Sequence, residues 1–332
     1  MFDHQGNAAI VDEGVLLLSR DNGRSWQEIA GGKGYRYYTV NGGKTYRNDY
    51  DRIVDNPDKN NPGSIESADI CPVENAFFAA SGRLYVFAKC EQSTQLFSIP
   101  ANESAVWYSY RFGKQTSSDS QDIPFTVRGH FAEVGKNILV DASLPQGAAL
   151  MSTSDQGKTW KVFWSMKSDS RIVGLDFLDD RAGWILLGDG QILHTNDGGR
   201  SWQPFSRLPA DAAGETSSID FVNPTLGFAV GGEGLILRTD DGGLTWQRQA
   251  GGTRNFLYKV KTVNERKVWI AGGNSTILET EDGGRNWEKI DLNVNEYESP
   301  FNDIYNFTVE GGEAWIVNDK FIFKIGESSR SK

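Results

Sequence analysis

Few residues in this 332-residue chain have the type and spacing that catalysis or metal binding requires. There are three histidines, His4, His130 and His194, too few and too scattered for a multi-histidine metal centre. His130 follows Arg128 at a strand start and His194 sits inside an apolar strand pattern, so both read as structural. Adjacent carboxylates at Asp179-Asp180 and Asp240-Asp241 could in principle share acid–base work, but they fall in turn sequences, where carboxylates serve the backbone. Asp49, Asp51, Asp55 and Asp58 offer oxygens for calcium, yet their spacing is not that of a calcium loop and the obligatory glycine is missing. They read as solvated loop carboxylates, and no metal or cofactor is expected. No GxSxG, HExxH or phosphate-loop signature occurs. Two aromatic and basic segments remain. The first holds Tyr35, Arg36, Tyr37, Tyr38, Tyr46, Arg47, Tyr50 and Arg52; the second holds Trp107, Tyr108, Tyr110, Arg111 and Phe112. Tyr, Trp and Arg dominate binding hot spots, and loop aromatics also serve simply to pack a loop onto its scaffold.

Composition narrows the setting. The formal charge of −10 opposes broad binding to nucleic acid or anionic membranes, and no apolar run approaches the ~18 residues of a membrane span. With 37 Gly and 10 Trp, the chain suggests many short strands joined by tight turns. The opening MFDHQGNAAIVDEG lacks a basic-then-apolar leader. An exported, periplasmic setting with its signal absent from this sequence is expected; a cytoplasmic one stays open. Cys71 and Cys90 are the only cysteines. Read as lying in the first and third strands of one sheet, they would be about 9–10 Å apart, so a disulfide would require Cys90 to have left its strand.

Five segments share the template [S/T]-x-D-x-G-x-[S/T/N]-W: SRDNGRSW (19–26), TSDQGKTW (153–160), TNDGGRSW (195–202), TDDGGLTW (239–246) and TEDGGRNW (280–287). The paired positions are Asp21 with Trp26, Asp155 with Trp160, Asp197 with Trp202, Asp241 with Trp246 and Asp282 with Trp287, and the last four aspartates follow each other at 42, 44 and 41 residues. The Asp accepts N–H groups of its own turn, Gly takes a positive φ, Ser or Thr pins the turn, and Trp opens the next strand and packs between units. This describes a structural hairpin corner. Three apolar strand patterns precede each regular box, as in RIVGLDFLDDRAGWILLGDGQILHTNDGG (171–199), and one follows it. Four antiparallel strands in ~40–45 residues make one propeller blade.

The boxes resemble the Asp-box, or bacterial neuraminidase (BNR), repeat. The combination GWxxxGxGxILxTxDGGxxW is most similar to the photosystem II assembly/stability factor family and its bacterial relatives, strongly over 171–290 and well over 8–26. The resemblance implies an all-β propeller. Seven third-strand markers, VLLLSR (15–20), RLYVFAKC (83–90), AALMSTS (148–154), QILHTN (191–196), LILRTD (235–240), TILETE (276–281) and KFIFKI (320–325), predict seven blades in a single domain over 1–332, with six or eight as alternatives. The first unit lacks an innermost strand and the last stops before its box, which suggests closure by strand exchange between the chain ends. Surplus residues at about 31–66 and 101–125 predict insertions on the face opposite the boxes, beside the turns at Gly190, Gly232, Glu233, Gly273, Asn274 and Asp319. Within the first, TVNGGKTY predicts a hairpin over 35–47.

Sialidases share the box but need an Arg-Ile-Pro-like motif, and here Arg52-Ile53 and Arg171-Ile172 are each followed by Val. The resemblance implies a non-catalytic, protein-binding propeller: a monomeric, extracytoplasmic assembly or scaffold factor whose partner is another protein. An exported immunity or inhibitor protein fits the same features. A glycan-binding or glycoside-hydrolase-like propeller, with Trp107, Tyr108 and Tyr110 as stacking platforms, is the alternative. Two features depart from the family pattern: the chain is acidic with no evident arginine-rich patch across several blades, and residues 1–150 diverge from it.

Overall fold

The computed structural model describes residues 126–144, 147–157 and 159–290, together with short segments, mostly single strands, between residues 8 and 112 and between 306 and 325. The chain divides into two compact units, residues 1–165 with 319–323 and residues 166–318 with 324–332. Every described sheet is antiparallel, and no α-helix occurs among the described residues.

In the first unit β1 (Ala8–Asp12), β2 (Val15–Ser19) and β3 (Gln27–Ala30) form a three-stranded sheet. β4 (Arg36–Val40) and β5 (Lys44–Asn48) form a hairpin with Val40 opposite Lys44, where the degenerate box predicts one. β6 (Val73–Phe78), β7 (Leu84–Lys89), β8 (Thr94–Ile99) and β9 (Tyr108–Phe112) make a four-stranded sheet in chain order. So do β10 (Thr126–Val134), β11 (Asn137–Leu144), β12 (Gly147–Thr153) and β13 (Lys161–Lys167). The marker RLYVFAKC therefore does not lie in a third strand. It is β7, the second strand of its sheet, because second strands are covered on both faces and read as the same apolar run as third strands. The segment 101–125 accordingly contains a fourth strand, β9. The correction also removes the sheet-spacing argument against a disulfide: β6 and β7 are immediate neighbours with Val73 opposite Ala88, while Cys71 and Cys90 lie outside the described residues.

The second unit repeats one sheet three times. The first copy is β14 (Ile172–Phe177), β15 (Gly183–Leu187), β16 (Gln191–Thr195) and β17 (Gln203–Arg207). The next is β18 (Thr216–Phe221), β19 (Gly227–Gly231), β20 (Ile236–Thr239) and β21 (Gln247–Arg248), and the third is β22 (Leu257–Thr262), β23 (Val268–Gly272), β24 (Thr276–Thr280) and β25 (Glu288–Lys289). β26 (Asn306–Glu310) then pairs with β27 (Glu313–Val317). The final strand, β28 (Phe321–Ile325), begins in the first unit, and there it pairs with β5, Phe321 opposite Tyr46 and Ile322 opposite Thr45.

Packing follows from this repetition. β15, β19 and β23 are buried at every residue, as expected of strands with a sheet on either side. One core cluster runs from Trp184 and Leu186 to Phe221, Leu237 and Trp246; another joins Phe228 and Ile236 to Val260 and Leu278. Trp184 lies flat on Phe221 of the following sheet, ring centroids 3.8 Å apart, and donates its indole N–H to the Gly242 carbonyl at 3.0 Å. Each box Trp immediately precedes the fourth strand. Trp202 meets Phe177 edge-on within its own sheet, whereas Trp287 meets Phe228 of the preceding sheet.

Two glycines, Gly242 in a box and Gly252 beyond the fourth strand, test this geometry. Gly242 has φ +75° and an added Cβ would stand 2.6 Å from the Pro224 carbonyl; Gly252 has φ +68° and open space around it. Gly252→Ala should cost ~1 kcal/mol for the left-handed backbone alone. Gly242→Ala should cost ~3 kcal/mol, since overpacking is added. Urea unfolding midpoints of the two variants check the difference; equal midpoints would contradict it.

Candidate functional site

The four described boxes consume their own functional groups. In the box of Asp197, the Thr195 hydroxyl donates to Oδ1 at 2.8 Å, the Ser201 N–H to Oδ1 at 2.9 Å and the Ser201 hydroxyl to Oδ2 at 2.6 Å. The Gly199 N–H in turn donates to the Thr195 hydroxyl at 3.0 Å. The pattern recurs around Asp155, Asp241 and Asp282. Burial pushes the Asp197 pKa up, but the Ser201 and Thr195 bonds outweigh it and hold the group at about 2. Asp282, with Asn286 as its first donor, is also held at about 2. Such carboxylates are fixed anions of the turn and offer neither a proton nor a free ligand position. The box of Asp21 and Trp26 lies outside the described residues.

Other reactive residue types are equally committed. Asp179 accepts the N–H groups of Arg181 and Ala182, both at 2.7 Å, which lowers its pKa. Asp240 pairs with Arg238. His194 is held between the rings of Trp184 and Phe205, and burial lowers its pKa. His130 lies against the fully buried Asp141, which accepts its backbone N–H at 2.7 Å and approaches its Nδ1 at 3.1 Å. Among the described residues no hydroxyl or thiol joins that pair.

The inner strands carry a charged cluster. Asp176 on β14 accepts the Phe221 N–H of β18 at 2.7 Å, and Asp220 on β18 accepts the Thr262 N–H of β22 at 2.7 Å. Each carboxylate thus caps the free inner edge of the next strand. Asp220 also binds the Lys261 ammonium and the Thr262 hydroxyl. Burial first, then the nearby Asp220 anion, raises Asp176 to about 7. Burial first, then Lys261, lowers Lys259. Attraction to Asp220 raises Lys261, although 44% of that side chain stays accessible.

The box face of the second unit presents an open cleft lined by Asn223, Thr225, Leu226, Arg238, Asp240, Glu265, Arg266, Asp282, Gly283 and Arg285. Arg266 donates Nε to the Glu281 carbonyl at 3.1 Å, and Arg285 donates a terminal nitrogen to the Asp282 carbonyl at 3.3 Å. Two repeats earlier, Arg181 is anchored to the Asn196 carbonyl at 3.4 Å and Arg200 to the Asp197 carbonyl at 2.7 Å in the same way. One bond each ties these guanidinium groups to a carbonyl, and all four residues are exposed. Glu265 accepts from the Asn223 amide at 2.9 Å, and Asp240 is 58% exposed. A rim of oriented arginines and carboxylates suits a peptide-like ligand, because a guanidinium grips a carboxylate through two parallel hydrogen bonds.

The cleft is a mixed patch of three arginines and three carboxylates that sequence reading did not single out. Its arginines come from two adjacent repeats, Arg238 from one and Arg266 and Arg285 from the next, and folding gathers them with Asp240, Glu265 and Asp282. Arginine at the positions of Arg266 and Arg285 recurs two repeats earlier as Arg181 and Arg200, outside the cleft lining. Of the predicted binding residues, Arg36, Tyr37 and Tyr38 lie in β4, Tyr46 and Arg47 in β5, and Tyr108, Tyr110 and Arg111 in the outermost strand β9. Tyr35, Tyr50, Arg52 and Trp107 lie outside the described residues. The turns predicted beside them are present: Gly190 has φ 84°, Glu233 52° and Asn274 51°.

A model of the family described as the photosynthesis system II assembly factor YCF48 matches residues 156–248, 204–302 and 249–323. The chain belongs to this family. Among solved structures it is similar to "YCF48 bound to D1 peptide", with 14% identity and TM-score 0.64 over 100% of this chain and 92% of that one. It is similar to YCF48 from Cyanidioschyzon merolae, with 15% identity and TM-score 0.60 over 99% and 94%. The WD40 β-propeller domain of Doa1 aligns with 11% identity and TM-score 0.62 over 99% and 92%. No curated protein matches. The fold is that of a β-propeller.

The raised Asp176 gives a pH prediction. A carboxyl whose folded pKa exceeds its unfolded value of 3.8 carries a penalty that grows from pH 3.8 and is complete above about 7. Asp176→Asn keeps an acceptor for the Phe221 N–H and removes that penalty. The variant should be ~2 kcal/mol more stable than wild type at pH 8, with the gain vanishing below pH ~4. Urea titrations across that range check it; a gain that is constant with pH would contradict it.

Proposed function

We propose that this protein is a non-catalytic, protein-binding propeller that acts as an assembly or scaffold factor in an extracytoplasmic compartment. The observation that carries this reading is the box-face cleft, where Arg266 and Arg285 are each tied to a carbonyl and are exposed, as is Asp240. Such preset donors suit an extended protein segment bearing carboxylates. Membership in a family of assembly factors, and the likeness to a YCF48 structure holding a D1 peptide, support the same class of ligand. Seven blades are supported by five four-stranded sheets, the three-stranded β1–β3 and the strands that end the chain. The aromatic and basic residues of β4, β5 and β9 make a second contact region in this reading, because Tyr and Arg supply large contact area and bidentate hydrogen bonding.

Affinity capture from lysate and envelope fractions of the native organism tests the proposal. Wild type should retain a stoichiometric protein partner, enriched from the envelope fraction. The charge-reversed variant Arg266→Glu with Arg285→Glu should lose it by tenfold or more while keeping its circular dichroism spectrum. A partner that persists in this variant would exclude the cleft. Absence of any partner, with retention of a defined oligosaccharide on a glycan array, would overturn the protein-binding reading.

A further inference from the structure

Outer strands of a sheet expose a row of unpaired N–H and C=O groups, and proteins normally blunt them. The second unit does so. β21 and β25 are two residues long, and β17 carries Pro204 and a register shift opposite Ile192 and Leu193. β13 is different. It runs for seven residues, Lys161–Lys167, the longest outer strand among the described residues. It contains no proline and no acid, and its centre is Val-Phe-Trp. Val162 is 37% exposed, one of three large apolar side chains so open among the described residues. Lys161 and Lys167 are both exposed at its ends and hold no ion pair among the described residues, in a chain whose net charge is −10.

We propose that the free edge of β13 is a docking site for an extended segment of another protein. This segment adds as a further strand, and it has an apolar, β-branched centre and a carboxylate at each end. Backbone pairing would supply affinity, and the terminal lysines would supply selection. The lysines are six residues apart, so the two carboxylates would need a separation of ~20 Å, the length of six residues of strand. A second copy of this chain is a poor occupant. Antiparallel self-pairing centred on Trp164 would put Lys161 opposite Lys167 twice, and like charges directly opposed are destabilising. This edge is distinct from the box-face cleft.

The test uses the full chain and a labelled peptide, acetyl-Glu-Val-Thr-Val-Thr-Val-Glu-amide, read by fluorescence polarisation. It should bind saturably, and at least tenfold more tightly than the same peptide with Lys at both ends. Lys161→Glu with Lys167→Glu should invert that preference, with an unchanged circular dichroism spectrum. Two further peptides, N-methylated on one or the other alternate set of amides, distinguish strand addition from side-chain adhesion: one set should abolish binding and the other should spare it. Arg266→Glu with Arg285→Glu should leave all of this unchanged, so failure of the cleft and failure of the edge are separable. The proposal is overturned by absence of saturable binding up to millimolar peptide, by equal binding of both N-methylated forms, by indifference to the lysine reversal, or by a wild-type dimer in sedimentation that the reversal dissolves.

Discussion

The carboxylate of the box aspartate is the point on which the repeated structure turns. Its two oxygens accept a backbone N–H, a hydroxyl or amide from the same turn and the preceding Thr hydroxyl, so the chain between the third and fourth strands has one conformation. That conformation sets two consecutive residues at positive φ, glycines in three of the four described boxes and Gln156 with Gly157 in the other, and presents the main-chain carbonyls to which neighbours bind. The Gly242 carbonyl receives Trp184 from the preceding sheet, and the Gly243 carbonyl receives both Trp246 and the Ser206 hydroxyl. The Asp197 and Asp282 carbonyls receive Arg200 and Arg285. A local hydrogen-bond knot thereby fixes both how successive sheets dock and where surface charges point.

At the other end of each sheet the problem is the free edge of the inner strand, whose N–H groups have no neighbouring strand. Asp176 and Asp220 solve it by reaching across to the next inner strand. The solution concentrates charge where water is scarce. Lys261 neutralises Asp220, and Asp176 is left with a raised pKa. Asp176 and the box aspartates are therefore opposites. Box aspartates are stabilised anions because their donors are local and numerous; Asp176 is a disfavoured anion because one backbone donor cannot offset burial beside a second carboxylate.

The box motif was fully readable because all its bonds lie within seven residues, and the same locality made Asp155, Asp197, Asp241 and Asp282 recognisable as structural. The hairpin over 36–48 was readable for the same reason. What sequence reasoning missed depends on neighbours. The 83–90 segment was placed as a third strand because its apolar run reports burial on two faces, which second and third strands share. No Asp box separates β8 from β9 to correct that reading. The cleft was invisible because its members come from separate turns and strands of two adjacent repeats, and the inner-strand cluster because Asp176, Asp220 and Lys261 look like isolated polar residues in three different strands.

A propeller of this kind separates stability from recognition more sharply than most folds. The interior repeats and uses nearly the same bonds each time, so variation there is expensive. Variation accumulates where the repeat is imperfect: where β13 is seven residues long although β21 and β25 have two, and where Arg238 faces the cleft although the matching third-strand residue one repeat earlier is His194, buried between rings. A departure from the repeat is not needed to complete a blade, so its physical justification has to come from outside the sheet. For a buried departure such as His194 the neighbouring rings supply it. For an exposed one, such as the edge of β13 with its two exposed lysines, no ion pair among the described residues does, and an outside ligand becomes the economical explanation.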